Sequence, residues 1–147
     1  ASRPGWTQNA LAAFRSGAIT VEAPWARATP ANAKVGGGYF VIRNDGKESD
    51  RLVGFSSPAS GRGEVHEMTM TDGVMKMREM KAVEIAPGAS VQFKPGGFHV
   101  MLLELKGGLA VGKPVKGTLR FEKAGAIDIE FAIAPLGASG APGGHNH

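Results

Sequence analysis

A chain of 147 residues, 42% of them hydrophobic and 20% charged, is one domain's worth of sequence, enough for a single two-layer core and cramped for two. The 17 Lys and Arg are scattered among 13 Asp and Glu, without the concentrated basic face and stacking aromatics that nucleic-acid binding needs. The absence of cysteine excludes a disulfide framework, a thiolate zinc site, thioredoxin-like chemistry and thiolate-based electron-transfer centres, and no stretch approaches the roughly 20 apolar residues that span a bilayer.

Taken in chain order, residues 1–18 read as a processed N-terminal extension that is a short docking helix, a linker toward a removed anchor, or vector-derived, with no functional role favoured. Thr7 is a candidate helix N-cap ahead of Gln8 to Arg15, in a segment that also carries Trp6, Leu11 and Phe14. Ala10 to Phe14 is too short and wrongly flanked for a signal peptide, and the first residue is not Met, so the expectation is a processed or truncated product. From Ile19 a β pattern begins. Ile19 to Glu22 is a first strand with Pro24 marking an edge or bend, Gly38 to Asn44 a second, and Arg51 to Ser56 a third. Trp25, Tyr39 and Phe40 read as core or rim packing. Gly36-Gly37-Gly38 is followed by no helix start and no Lys-Ser/Thr pair, which rules out a phosphate loop.

The next stretch, Glu64 to Met101, holds the chemistry. Asp72-Gly73 separates two strand-like runs and predicts a two-residue hairpin turn, because its second residue takes a positive φ without steric cost. That turn sets Met68 opposite Met77, Met70 opposite Met75 and His66 opposite Glu79. Period-two alternation puts these six on one face and leaves Val65, Glu67, Thr69, Thr71, Val74, Lys76, Arg78 and Met80 on the other, which reads as solvent-facing. His66 and Met77 are then diagonal neighbours, roughly 7–8 Å apart at the backbone and within joint reach of one ion. Short strands near Val83 to Ile85 and Val91 to Phe93 follow. Pro95-Gly96-Gly97 leads into a strand from Phe98 to Leu105, on which His99 and Met101 leave the same face. Two imidazoles and two thioethers form a soft, neutral ligand set suited to Cu(I), whereas zinc and harder ions favour carboxylate or thiolate. For any one position alone, a core Met or a hydrogen-bonded core His is the simpler reading; it is the grouping that points to metal.

Val115 to Glu122 and Ile127 to Ile133 alternate apolar with polar residues, and no long helical pattern competes. Eight to nine short strands over 19–135 predict an all-β Greek-key sandwich or barrel. The tail, 136–147, is rich in Gly, Ala and Pro and is expected to stay flexible without metal. It ends in His145-Asn146-His147, a pair able to bind Cu(II) or Ni(II) through imidazole nitrogen.

The constellation His66, Met77, His99 and Met101, together with Asp72-Gly73-Val74-Met75-Lys76-Met77-Arg78 and Lys94-Pro95-Gly96-Gly97-Phe98-His99-Val100-Met101-Leu102, resembles the periplasmic copper chaperone family PCu(A)C. Pro24-Trp25-Ala26-Arg27-Ala28-Thr29-Pro30 and Gly36-Gly37-Gly38-Tyr39-Phe40 extend the similarity over about Ile19 to Pro135. The resemblance implies a cupredoxin-like β-barrel holding one Cu(I) through His66, Met77, His99 and Met101. It implies delivery to the CuA centre, and in some organisms the CuB centre, of cytochrome c oxidase, with the copper-bearing subunit or its assembly factors as partners. It also implies export to the periplasm, and some similar chaperones hold a second copper on a His-bearing C-terminal extension. Without a membrane-length apolar stretch the chain is expected to be soluble though membrane-proximal, and a monomer is expected although the sequence does not identify the oligomeric state.

The mechanism expected of such a site is ligand exchange: Met thioethers near the surface swap one at a time for a partner's ligands. Imidazoles bind metal when deprotonated, so affinity falls below about pH 6.5. Met68, Met70 and Met75 are expected to be packing or a hydrophobic collar rather than auxiliary ligands, and Lys76, Arg78 and Lys81 to steer docking onto an acidic partner. Two other readings remain open, a copper storage or resistance protein with the same site and a β-sandwich interaction module with an adhesive Met face. Catalysis is not expected, since there is no Ser-His-acid grouping, no paired carboxylates with a rationale and no redox Cys.

Overall fold

Alternating apolar residues from Ala13 onward become strands that each turn one row of side chains inward. The computed structural model describes residues 12–135, and among them no helix forms, so none could cross a membrane. The strands are β1 (Ala13–Ser16), β2 (Ile19–Arg27), β3 (Val35–Asn44), β4 (Asp50–Ser56), β5 (Ser60–Thr71), β6 (Val74–Glu79), β7 (Val83–Ile85), β8 (Ser90–Phe93), β9 (Phe98–Leu105), β10 (Val115–Phe121) and β11 (Gly125–Ala134). They run in the order β6-β5-β9-β3-β2-β11-β10-β4-β7, with β1 added to β2 and β8 to β3. β11 joins the two layers: Gly125 to Phe131 pair antiparallel with β10, and Ala132 to Ala134 pair parallel with β2.

Between the layers the aromatic rings form a chain. Phe40 stacks on Phe93 at 4.5 Å, Phe131 meets Phe55 edge-on at 5.9 Å, and Phe93 stacks on Phe98 at 5.4 Å, carrying the core to the foot of β9. Such aromatic pairs add to the stabilisation that burial already supplies. Val100 and Leu102 point into this core, so His99 and Met101, of opposite parity on β9, point out of it.

Among the described residues eleven strands form, ten of them within 19–135, where eight to nine were expected. The one ahead of that range, β1, replaces the C-terminal part of the expected Gln8 to Arg15 helix: Ser16 pairs with Ile19 across a two-residue turn whose first residue, Gly17, has φ +58°, and the strand extends back to Ala13 opposite Glu22. Phe14 packs against the core from that strand. Thr7 and Gln8 to Leu11 lie outside the described residues. Pro24 does not end β2. It sits in a bulge, where Ala23 adopts φ +49° and the register with β3 shifts between Glu22 and Trp25, so the strand continues past a residue that has no N–H to donate.

The hairpin registers as the Asp-Gly turn predicts. His66 faces Glu79, Met68 faces Met77 and Met70 faces Met75, with Asp72 and Gly73 at φ +53° and +80°. The division of its two faces differs from expectation at the base. Val65 is buried and Met80 packs on the core, because β5 is shared: Ser60 to Glu67 pair with β9, and only His66 to Thr71 pair with β6. Beyond Glu67 the hairpin therefore projects as a two-stranded ribbon. His66 and Glu67 are the residues of β5 paired on both sides, where ribbon and sheet fork.

Candidate metal centre

His66 is opposite His99 across β5 and β9, and the two rings stand 5.6 Å apart centre to centre. On the other flank of His66, its Nδ1 lies 3.0 Å from Met77 Sδ on β6. Met101, two residues beyond His99 on the same face of β9, pairs with Glu64 and Gly37 in the backbone register. It shares with His99 and Met68 a surface cleft of about 430 Å³ that is also lined by Arg27, Ala28, Thr29 and Tyr39, and not by His66 or Met77. The four residues singled out from their spacing thus come from three adjacent strands: His66, Met77 and His99 meet at the fork of the sheet, and Met101 lies one two-residue step along β9 in the cleft it shares with His99. His145 and His147 lie outside the described residues.

Hydrogen bonding fixes which nitrogen of each ring is free. His66 Nε2 lies 2.7 Å from the Glu64 carboxylate, and His99 Nδ1 lies 3.2 Å from the Gly97 carbonyl. Both partners are acceptors only, so these nitrogens carry the protons, and the lone pairs of the neutral rings are on His66 Nδ1 and His99 Nε2. In the neutral ring Nδ1 turns its lone pair toward the Met77 sulfur 3.0 Å away, which sets two soft donors side by side.

The Gly97 carbonyl also accepts the Met68 backbone N–H at 3.0 Å, and the turn before it is closed by Gly97 N–H donating to Lys94 O at 3.0 Å with Gly96 at φ +86°. One turn carbonyl therefore ties β9's imidazole to β5. His99 is 6% exposed. Burial pushes its pKa below the ordinary imidazole value, against the opposing Gly97 bond, and nearby His66 adds to the lowering. Tyr39, whose ring is 6.5 Å from His99, has its phenol pKa raised by burial, an effect Arg27 opposes.

Glu64 escaped the sequence reading. It has the same strand parity as His66, the signal that could have revealed it, and its carboxylate makes the acidic partner that commonly orients a ligating histidine. The site is therefore not flanked by neutral groups alone. Among the described residues no three His, Cys, Asp or Glu side chains are positioned to hold a metal, so an ion bound here depends on sulfur. Arg78 is engaged with Glu67 at 3.1 Å on the opposite face of the ribbon.

The family model described as "Putative lipoprotein LpqE-like" matches residues 19–133. The solved structure "Apo PCuAC domain from PmoF1" is 31% identical, covers 84% of this chain and 99% of its own, and superposes with a TM-score of 0.72. The chain belongs to the LpqE-like, PCu(A)C family. A second solved PCu(A)C structure, "Copper-bound PCuAC domain from PmoF2", is 28% identical with a TM-score of 0.72, over 90% of this chain and all of its own. A curated relative, "Putative lipoprotein Lxx21020" of Leifsonia xyli subsp. xyli (strain CTCB07), is 31% identical over 70% of this chain, which spans only 61% of that protein's length. The all-β fold of this PCu(A)C protein is accordingly that of the cupredoxin-like PCu(A)C domains.

Proposed function

We propose that this protein is an exported copper chaperone that holds one Cu(I) through His66 Nδ1, Met77 Sδ, His99 Nε2 and Met101 Sδ and surrenders it to a partner by exchange of thioether ligands. The observation that carries the reading is the convergence at the fork of β5: two imidazoles directly across a strand pair, a thioether 3.0 Å from one ring nitrogen, and a second thioether in the same cleft as the other ring. Membership in the PCu(A)C family and likeness to a copper-bound domain support copper as the cargo. Soft, uncharged donors favour Cu(I) over harder ions, and Glu64 adds a compensating negative charge beside His66.

The recipient we propose is a cytochrome c oxidase copper centre, CuA and in some settings CuB, reached in the periplasm through the copper-bearing subunit or its assembly factors. Transfer toward a thiolate site runs downhill, since thiolates are the stronger donors to Cu(I). His145 and His147 remain proposed as a separate Cu(II) site. The protein acts as a carrier and not an enzyme in this reading.

An anaerobic Cu(I) titration tests it. Wild type is expected to bind one equivalent tightly, with Met77→Leu and His99→Ala each losing most of that affinity. Equal, weak binding in wild type and both variants would overturn the metal assignment. Copper transfer to an isolated apo oxidase subunit separates delivery from storage, because a storage protein retains its copper when the subunit is added.

A further inference from the structure

All six methionines of the chain fall between Met68 and Met101, and four of them form two rungs on one face of the projecting ribbon. Met70 is 65% exposed, Met75 50% and Met77 48%. At such exposure these side chains add little to the core, and packing does not account for them. Directly opposed residues in an antiparallel pair have Cβ atoms about 4.5–5.5 Å apart, and a Met side chain has three rotatable bonds beyond that, so the two sulfurs of a rung can close on a single ion. The opposite face of the ribbon carries Thr69, Thr71, Lys76 and the Arg78–Glu67 pair, which leaves the soft donors segregated on the His66 side.

The rungs lead somewhere. Met70 and Met75 stand next to Met68 and Met77, one two-residue step of about 7 Å along the strands. Met77 sulfur touches His66, and Met68 lines the cleft that holds His99 and Met101. His99 itself is almost closed to solvent, so an ion meets the exposed thioethers first.

We propose that Met70 and Met75 form a second, weaker soft-metal site at the tip of the ribbon, which captures a monovalent copper-like ion and passes it by way of Met68 and Met77 to the inner His66/His99 site. The proposal rests on the copper-carrier reading for the identity of the ion and for the inner site, and assigns to the tip a role neither packing nor a collar would give it. The transfer is exchange of neutral donors on a cation whose charge does not change.

The test uses the full chain with ¹³C-methyl methionine, titrated anaerobically with Ag(I) as a redox-inert stand-in. The first equivalent is expected to shift the Met77 and Met101 methyl signals, and further Ag(I) to shift those of Met70 and Met75. A Met70→Leu/Met75→Leu variant keeps the apolar surface and removes both sulfurs. It is expected to bind the first equivalent as wild type does, yet to load the inner site from a Cu(I)-chelator complex about tenfold more slowly, because the effective concentration supplied by an ion held nearby is lost. Methyl signals of Met70 and Met75 that stay fixed up to threefold excess, or a variant that loads at the wild-type rate, would overturn the tip site. Failure of Met77 and Met101 to respond while the tip signals move would instead overturn the inner-site assignment and leave the tip site standing.

Discussion

Replacing Glu64 probes the site without touching a proposed ligand. Its carboxylate accepts from His66 Nε2 at 2.7 Å, and its other oxygen is 3.4 Å from Arg62 Nε. Glu64→Gln retains an acceptor of the same shape but not the charge. The difference between a charge-assisted and a neutral hydrogen bond is about 1 kcal/mol, roughly fivefold in a dissociation constant. Glu64→Leu removes the acceptor altogether. The imidazole is then free to move its proton to Nδ1, the nitrogen facing Met77, and loss of such a supporting partner costs about 10–100-fold in metal affinity, or about 1.4–2.7 kcal/mol. The exposed Arg62 contact contributes little in either variant. Competition against a chromophoric Cu(I) chelator at neutral pH measures both affinities, and ¹⁵N chemical shifts of the apo protein read the His66 tautomer. The expected order is wild type, then Gln, then Leu. A Leu variant within twofold of wild type, or a wild-type His66 protonated on Nδ1, would refute the orientation argument.

Gly38 pairs with Val100 in the register of β3 and β9, and a Cβ there would meet Phe131 Cε1 at 2.6 Å and Val100 Cγ2 at 3.0 Å. Gly38→Ala is expected to destabilise by about 1–3 kcal/mol in chemical denaturation, an overpacking cost absent if the midpoint does not move. In the apo protein His99 should titrate below the ordinary imidazole value in an NMR pH series. Because the folded state favours the neutral ring, this contribution to stability is full above the unfolded pKa and is lost as pH falls through the lower folded one; a His99 that titrates at or above the ordinary value contradicts its burial. Reversing charge at Lys76, Arg78 and Lys81 together is expected to slow copper transfer to an acidic partner at low salt and to matter less at high salt, measured by stopped flow.

The hairpin was legible because its turn is local: Asp72-Gly73 supplies two consecutive positive φ values, and once the turn is set every facing pair follows by counting. The strand from Phe98 to Leu105 was legible for the same reason, bounded by a Pro-Gly-Gly turn on one side and by Gly107-Gly108 on the other. Non-local pairing was harder to read. β1 exists because β2 offers it an edge across Gly17, and a cap-like Thr7 pointed the other way. Val65 turns to the core because β9 claims that end of β5, a fact absent from the hairpin's own alternation. Glu64 belongs to no spacing motif, since a supporting carboxylate is recognised only once its ring is beside it.

Among the described residues β6 ends the strand order and is held by β5 alone, whereas β9 is clamped between β5 and β3. Backbone protection against hydrogen exchange should therefore decline across β9, β5 and β6, as an unbacked two-stranded ribbon is only marginally stable. If the proposed donors hold copper, they inherit that gradient: the His99 imidazole on the clamped strand would be the anchor, and the Met77 thioether on the outermost strand would yield first when the ion is let go.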